Sequence, residues 1–102
     1  MPQVADVLDV ASNAYRLVPD NDRVRVLEVV LRPQEHAVMH NHPHDHVIYV
    51  LSDAKFRLEF PDGKTGEFDL KSGQALMIDA GAHETTNIGT TVVRNIVVEL
   101  KR

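Results

Sequence analysis

Five of the six histidines lie between His36 and His46, and the densest run reads His40-Asn41-His42-Pro43-His44-Asp45-His46. Imidazole is the commonest protein ligand for transition metals. In a strand, side chains two residues apart share a face, so His40 and His42 can project together into an enclosed interior. His46 opens the next apolar stretch and can aim inward beside them. That register also turns Ile48 and Val50 inward as an apolar wall, and Asn41 and Tyr49 outward. His83 lies far downstream, in Gly81-Ala82-His83-Glu84-Thr85-Thr86-Asn87. A remote histidine completing a local pair is what a folded metal site requires. The plain alternative is a solvated histidine-rich loop that binds nothing specific. His36 reads as an exposed loop residue. His44 falls on the outward parity and stays out of the ligand set.

The elements that must position these side chains read as strands. Arg23 to Leu31 begins with strict alternation and is dense in β-branched residues. Val47 to Leu51 is a buried strand, and Lys55 to Phe60 alternates Phe56, Leu58 and Phe60 against Arg57 and Glu59. Glu67 to Leu70, Ala75 to Asp79 and Thr91 to Leu100 complete the set. Turn signals punctuate it at Pro19-Asp20-Asn21-Asp22, Pro61-Asp62-Gly63-Lys64, Lys71-Ser72-Gly73 and Ile88-Gly89-Thr90. The Gly63 turn joins two strands as a hairpin, since glycine supplies the positive φ that such turns need. Short strands with regular turns indicate an all-β sandwich or barrel. The N-terminal segment is ambiguous: Val4, Val7, Leu8 and Ala11 fit a helical face, while Val7, Leu8 and Val10 suit an edge strand.

Composition narrows the function. The 102 residues suit one domain, and 43% hydrophobic with 25% charged residues is ordinary for a globular protein. A net charge of −4 with scattered Lys and Arg disfavours nucleic acid and anionic membranes. There is no cysteine, hence no thiolate site, disulfide or cysteine nucleophile. No apolar run is long enough for a membrane helix, and the start has no signal-peptide pattern. A cytoplasmic location is the expectation. No Gly-x-Ser-x-Gly elbow, P-loop or dinucleotide fingerprint is present.

His40-x-His42-x3-His46, followed by Gly73-x5-Asp79-x-Gly81-x-His83-x3-Asn87, resembles the two motifs of the cupin superfamily. The resemblance runs from about residue 33 to 100 and is similar to that of small single-domain bacterial cupins. It departs from the usual pattern in several places. His46 stands where the superfamily usually has Glu, Gln34 and Asp53 replace the first motif's glycines, and Asp79 replaces the second motif's proline. The loop before His83 is one residue short.

The resemblance implies a small antiparallel β-barrel, a double-sheet jelly roll. The barrel domain is expected over residues 15–102, with residues 1–14 as an N-terminal arm that makes a dimer contact. It implies His40, His42, His46 and His83 around one divalent transition metal per chain. All-nitrogen ligation suits Zn, Ni, Fe or Cu; Mn fits less well, and Mg and Ca want oxygen. Four neutral imidazoles leave the ion its full charge, which favours an anionic small-molecule ligand. A tetrahedral Zn site would be closed and structural, whereas an ion taking five or six ligands keeps open positions. Asp45, Asn41, Glu84 and Asn87 are candidates to hold the imidazoles in one tautomer. Asp79 is a weak candidate for a catalytic general base, set against a simple loop-starting Asx-turn.

The implied function is a metal-dependent enzyme on a small carbonyl, enol or carboxylate compound: an oxygenase (dioxygenase-like), isomerase or lyase. The alternatives are a non-catalytic metal- or ligand-binding barrel and a metal that only ties strands together. Open sheet edges and the apolar arm indicate a homodimer.

Overall fold

The computed structural model describes residues 4–101. The chain begins with a one-turn helix, α1 (Val7–Val10), whose N-cap Asp6 accepts from the Leu8 N–H at 3.1 Å. Nine strands follow: β1 (Tyr15–Asp20), β2 (Val24–Leu31), β3 (His36–His42), β4 (His46–Val50), β5 (Ala54–Glu59), β6 (Thr65–Leu70), β7 (Ala75–Ile78), β8 (Gly81–Asn87) and β9 (Val93–Leu100). They form two antiparallel sheets, in the orders β1-β2-β9-β4-β7 and β3-β8-β5-β6. Among the described residues, no helix is long and apolar enough to cross a membrane.

The sheets enclose a core because β2, β4, β5 and β9 alternate inward, largely apolar residues with outward ones. Leu27, Val29 and Leu31 of β2, Ile48 and Val50 of β4, Phe56 and Leu58 of β5, and Val93 and Val97 of β9 are buried. The Phe56 and Phe68 rings stack at 5.4 Å across β5 and β6. The β5–β6 hairpin closes where expected, with Gly63 at φ 87° and the Phe60 N–H donating to the Lys64 carbonyl at 2.9 Å. At the end of the barrel away from the histidines, the Asn87 amide donates to the Leu31 and Thr91 carbonyls, at 2.9 and 2.8 Å.

The structure corrects several sequence expectations. Pro19 and Asp20 do not open a turn but end β1, which a proline can do on an edge strand. His36 is not a loop residue: it begins β3, with an exposed side chain. Gly81 to Asn87, not read as a strand, is β8. The N-terminal segment is helical for one turn, and Val7 and Ala11 are fully buried against their own barrel. The Asn41 N–H donates to the Ala5 carbonyl at 2.8 Å, fastening the segment to β3. The arm's first three residues lie outside the described residues.

Candidate metal centre

Strand register explains how the histidines meet. His40 and His42 lie two apart on β3, and His83 on β8 is the direct cross-strand partner of His40. The ring centroids are 5.0 Å (His40–His42), 4.8 Å (His40–His83) and 4.9 Å (His42–His83) apart. Each of the three offers a nitrogen, and these nitrogens lie within 4.8 Å of one another. His46 arrives from the opposite sheet. Its ring stacks on His42 at 4.4 Å and stands 6.4 Å from His83, and it lies outside the set of three. All four rings are buried.

The hydrogen bonds fix which nitrogen of the His40, His42 and His46 rings is available. His40 Nδ1 lies 2.6 Å from the Val38 carbonyl, and His46 Nδ1 lies 3.0 Å from the His44 carbonyl. A carbonyl only accepts, so both Nδ1 atoms carry hydrogen, which leaves Nε2 as the nitrogen each ring can offer to a ligand. His42 Nδ1 donates in the same way to the Glu99 carboxylate at 2.8 Å. His40 Nε2 is buried and has no hydrogen-bond partner among the described residues. A buried acceptor left empty-handed costs about 1–3 kcal/mol. A converging set of neutral imidazoles with one orphaned lone pair is what a divalent transition metal fits.

Burial drives the electrostatics. It holds the His42 imidazole down to about 2, with the His46, His40 and Arg25 charges adding to the effect. It likewise holds His83 down to about 2, reinforced by His42, His40 and His46. His40 is lowered too, first by burial, against the Val38 hydrogen bond. His40, His42 and His83 are thus neutral, as metal ligands must be.

Glu99 is the functional residue that the sequence reading missed. In register, Arg25 of β2 faces Glu99 of β9, and Glu99 faces His46 of β4, so all three share one inward row. Glu99 is fully buried. One of its oxygens accepts from Arg25 at 2.8–2.9 Å, and the other accepts from His42. Arg25 also donates to both Asp6 oxygens, at 3.2 and 3.1 Å. Burial pushes the Glu99 carboxyl above its ordinary value, while Arg25 pulls it back. Burial alone would also raise Asp6, but its bonds to Arg25 and Leu8 hold it below the usual carboxylate range. A chain of hydrogen bonds therefore runs from Asp6 through Arg25 and Glu99 to the neutral His42 ring. A carboxylate behind a ligand imidazole fixes its tautomer and raises its basicity.

The residues expected in that supporting role do other work. Asp45 accepts from the Ala80 N–H at 2.8 Å and pins two loops together. Glu84 pairs with His36 on the outer surface at 2.8 Å. Asn87 ties strands at the far end, and Asn41 holds the N-terminal segment through its backbone. Tyr15, also unforeseen, packs its ring 5.1 Å from His40 and 5.6 Å from His42. Burial pushes its phenol up to about 12, with the Thr85 hydroxyl opposing and the Glu99 charge adding.

Access is one-sided. Inside the barrel, beside His42, His46 and His83, the free space is about 20 Å³. Outside, a cleft of about 350 Å³ is lined by Phe60, Met77, Asp79, Gly81 and His83 among others. His83 lines both, and the Phe60 ring meets it edge-on at 6.2 Å. Asp79 is exposed on the cleft wall, directly after β7.

The chain matches no protein-family model and no curated protein. Solved structures match it closely in shape. A cupin domain from Bordetella pertussis Tohama I superposes with a TM-score of 0.78 at 23% identity, over 100% of this chain and 99% of that one. An uncharacterised conserved protein with a double-stranded β-helix domain, from Klebsiella pneumoniae, gives 0.70 at 17% identity over 99% and 91%. A cupin family protein with a double-stranded β-helix fold, from Methanocaldococcus jannaschii, gives 0.68 at 15% identity over 84% and 77%. Two antiparallel sheets closing on a buried histidine cluster, and this likeness in shape, lead to one conclusion: the chain has the fold of the small single-domain cupins.

Proposed function

We propose that this protein is a metal-dependent enzyme. It holds one divalent transition ion (Zn, Ni, Fe or Cu) through His40, His42 and His83, with His46 as the fourth imidazole. The observation that carries the reading is the buried, partnerless Nε2 of His40 among neutral rings. When bound, the ion supplies a Lewis acid for a carbonyl, enol or carboxylate oxygen. The class is an oxygenase, isomerase or lyase acting on a small compound. The substrate enters by the cleft at His83, because the barrel interior is nearly full. Phe60 shields that entrance from water. Asp79 stands on the cleft wall and is the residue we assign to move a proton. Among the cleft residues named above, only Asp79 carries a formal charge, and it is negative. The preference for an anionic ligand therefore rests on the ion's own charge. Without cysteine and with open sheet edges, the chain is read as a cytoplasmic homodimer.

A second reading, a metal that only ties strands together, draws on the narrow interior space of about 20 Å³. Azide separates the two. With Co(II) or Cu(II) loaded, azide titration is expected to shift the visible absorption bands saturably, through the side facing the cleft. A spectrum indifferent to azide at high concentration would leave the second reading in place and remove the enzyme.

A further inference from the structure

β3, which carries His40 and His42, is an edge strand of its sheet, and β1 is an edge strand of the other. The N-terminal segment ties the two sheets together at these edges. On β3, the Ala5 carbonyl accepts at 2.8 Å from the N–H of Asn41, the residue between the two histidines, and Asp6 pairs with Asn41 as an isolated bridge. Toward the start of β3, the Asn13 amide donates to the His36 carbonyl at 3.3 Å. On the opposite sheet, Asp6 accepts from Arg25 with both oxygens, at 3.2 and 3.1 Å, and the Ala14 carbonyl accepts from the Val30 N–H at 2.9 Å. Between these ties, Val7 and Ala11 are fully buried. Where the segment becomes β1, the Tyr15 ring lies 5.1 Å from His40 and 5.6 Å from His42.

We propose that residues 5–15 form a strap whose docking and whose metal binding reinforce each other, with Asp6 as the positioning residue. The inference rests on the metal centre proposed above. The strap carries none of the four histidines, so the coupling runs through what it touches. It holds the backbone at Asn41, and so sets the spacing of the flanking His40 and His42. It packs Tyr15 against both rings. Through Asp6 it reaches Arg25, then Glu99, then His42 Nδ1. Released from Asp6, Arg25 can turn to both Glu99 oxygens and compete with the His42 N–H for one of them. An ion moves such an equilibrium only by binding one state better than the other. The docked state is the better one, because it holds His40 and His42 in place before the ion arrives. The undocked state is within reach, because a helix of four residues does not hold itself in water and depends on its packing.

Amide hydrogen exchange and metal affinity of the full chain, with Zn(II), Ni(II), Fe(II) and Cu(II) in turn, test this. The bound ion is expected to slow exchange at Leu8 and Ala11 about 5-fold or more, the lower end of ordinary coupling between sites. Exchange at Gln74 and Gly89, whose N–H groups bond to the Lys71 carbonyl and the Asn87 side chain in loops away from the histidines, is expected to stay as it was. Asp6→Asn keeps a capping oxygen for Leu8 and discards the charge that Arg25 pairs with. Its metal affinity, from competition with a chromophoric chelator, is expected to fall about 3–10-fold, less than for a residue directly behind a ligand imidazole. Asp9→Asn, exposed on the same helix, is expected to bind metal as the wild type does. An ion pair serving stability alone would lower the urea midpoint of the apo protein and leave the affinity unmoved. Unchanged exchange at Leu8 and Ala11 in a wild type that binds an ion, or wild-type affinity in Asp6→Asn, overturns the inference alone. A wild type that takes up none of the four ions removes the inference and the metal centre together.

Discussion

Replacing Glu99 with alanine is expected to destabilise the metal-free protein by about 3–5 kcal/mol, the usual cost of leaving one partner of a buried ion pair alone. Arg25 would keep its bonds to Asp6 but lose the fully buried acceptor. His42 Nδ1–H would lose the Glu99 acceptor that it bonds in the barrel interior. Domains of this size hold about 5–15 kcal/mol in all, so the variant would sit near the edge of folding. Glu99→Gln keeps an acceptor for His42 and discards the charge, and it is expected to fall between the two. The Arg25→Met/Glu99→Gln double variant removes both charges and should recover much of the loss. Urea denaturation of the apo forms reads these differences. Metal affinity, from competition with a chromophoric chelator, is expected to fall about 10–100-fold in Glu99→Gln, the usual cost of removing a partner behind a ligand histidine. Wild-type stability and affinity in Glu99→Ala would show that the row from Arg25 to His42 is idle.

Acid is expected to unfold the metal-free protein well above the usual carboxylate range. In the folded chain, burial holds His42 and His83 down to about 2 and lowers His40. In the unfolded chain each titrates near 6.5. Below 6.5 the unfolded chain therefore takes up protons that the folded chain refuses. Stability is fully present above that pH and falls as pH falls, by up to about 1.4 kcal/mol per unit for each ring. From pH 7 to 5 this is about 2 kcal/mol each for His42 and His83. Asp6, with its lowered value, adds a loss of the same sign at lower pH. Glu99 is raised and works in the opposite sense, as one group against three rings. Urea midpoints at pH 7, 6 and 5 check the slope. A flat profile would mean that the rings are open to water rather than packed as neutral bases.

The site was legible in the sequence where it obeys strand parity. His40 and His42 announce a shared face, and Ile48 and Val50 follow the register that His46 sets. β8 was not legible because its inward residues, His83, Thr85 and Asn87, are all polar and leave no hydrophobic alternation. β1 was hidden by the turn residues Pro19 and Asp20 at its end. Glu99 was masked differently. It continues the inward series Val93, Asn95, Val97, so parity alone would have flagged a carboxylate in the core. Its partner Arg25 occupies the inward parity of β2, although Val24 and Val26 beside it look like the buried pair. Alternation shows that two faces exist; which face turns inward is decided by the whole sheet, and the charges of Arg25 and Glu99 in the row behind the histidines invert the usual sign.

Elemental analysis of the protein after exposure to Zn, Ni, Fe and Cu, for the wild type and single histidine variants, tests the metal centre itself. The expected result is one ion per chain in the wild type, none in His40→Ala or His42→Ala, and a full complement in His44→Ala. A wild type that retains no metal, or a His44→Ala variant that loses it as completely as His40→Ala, would contradict it.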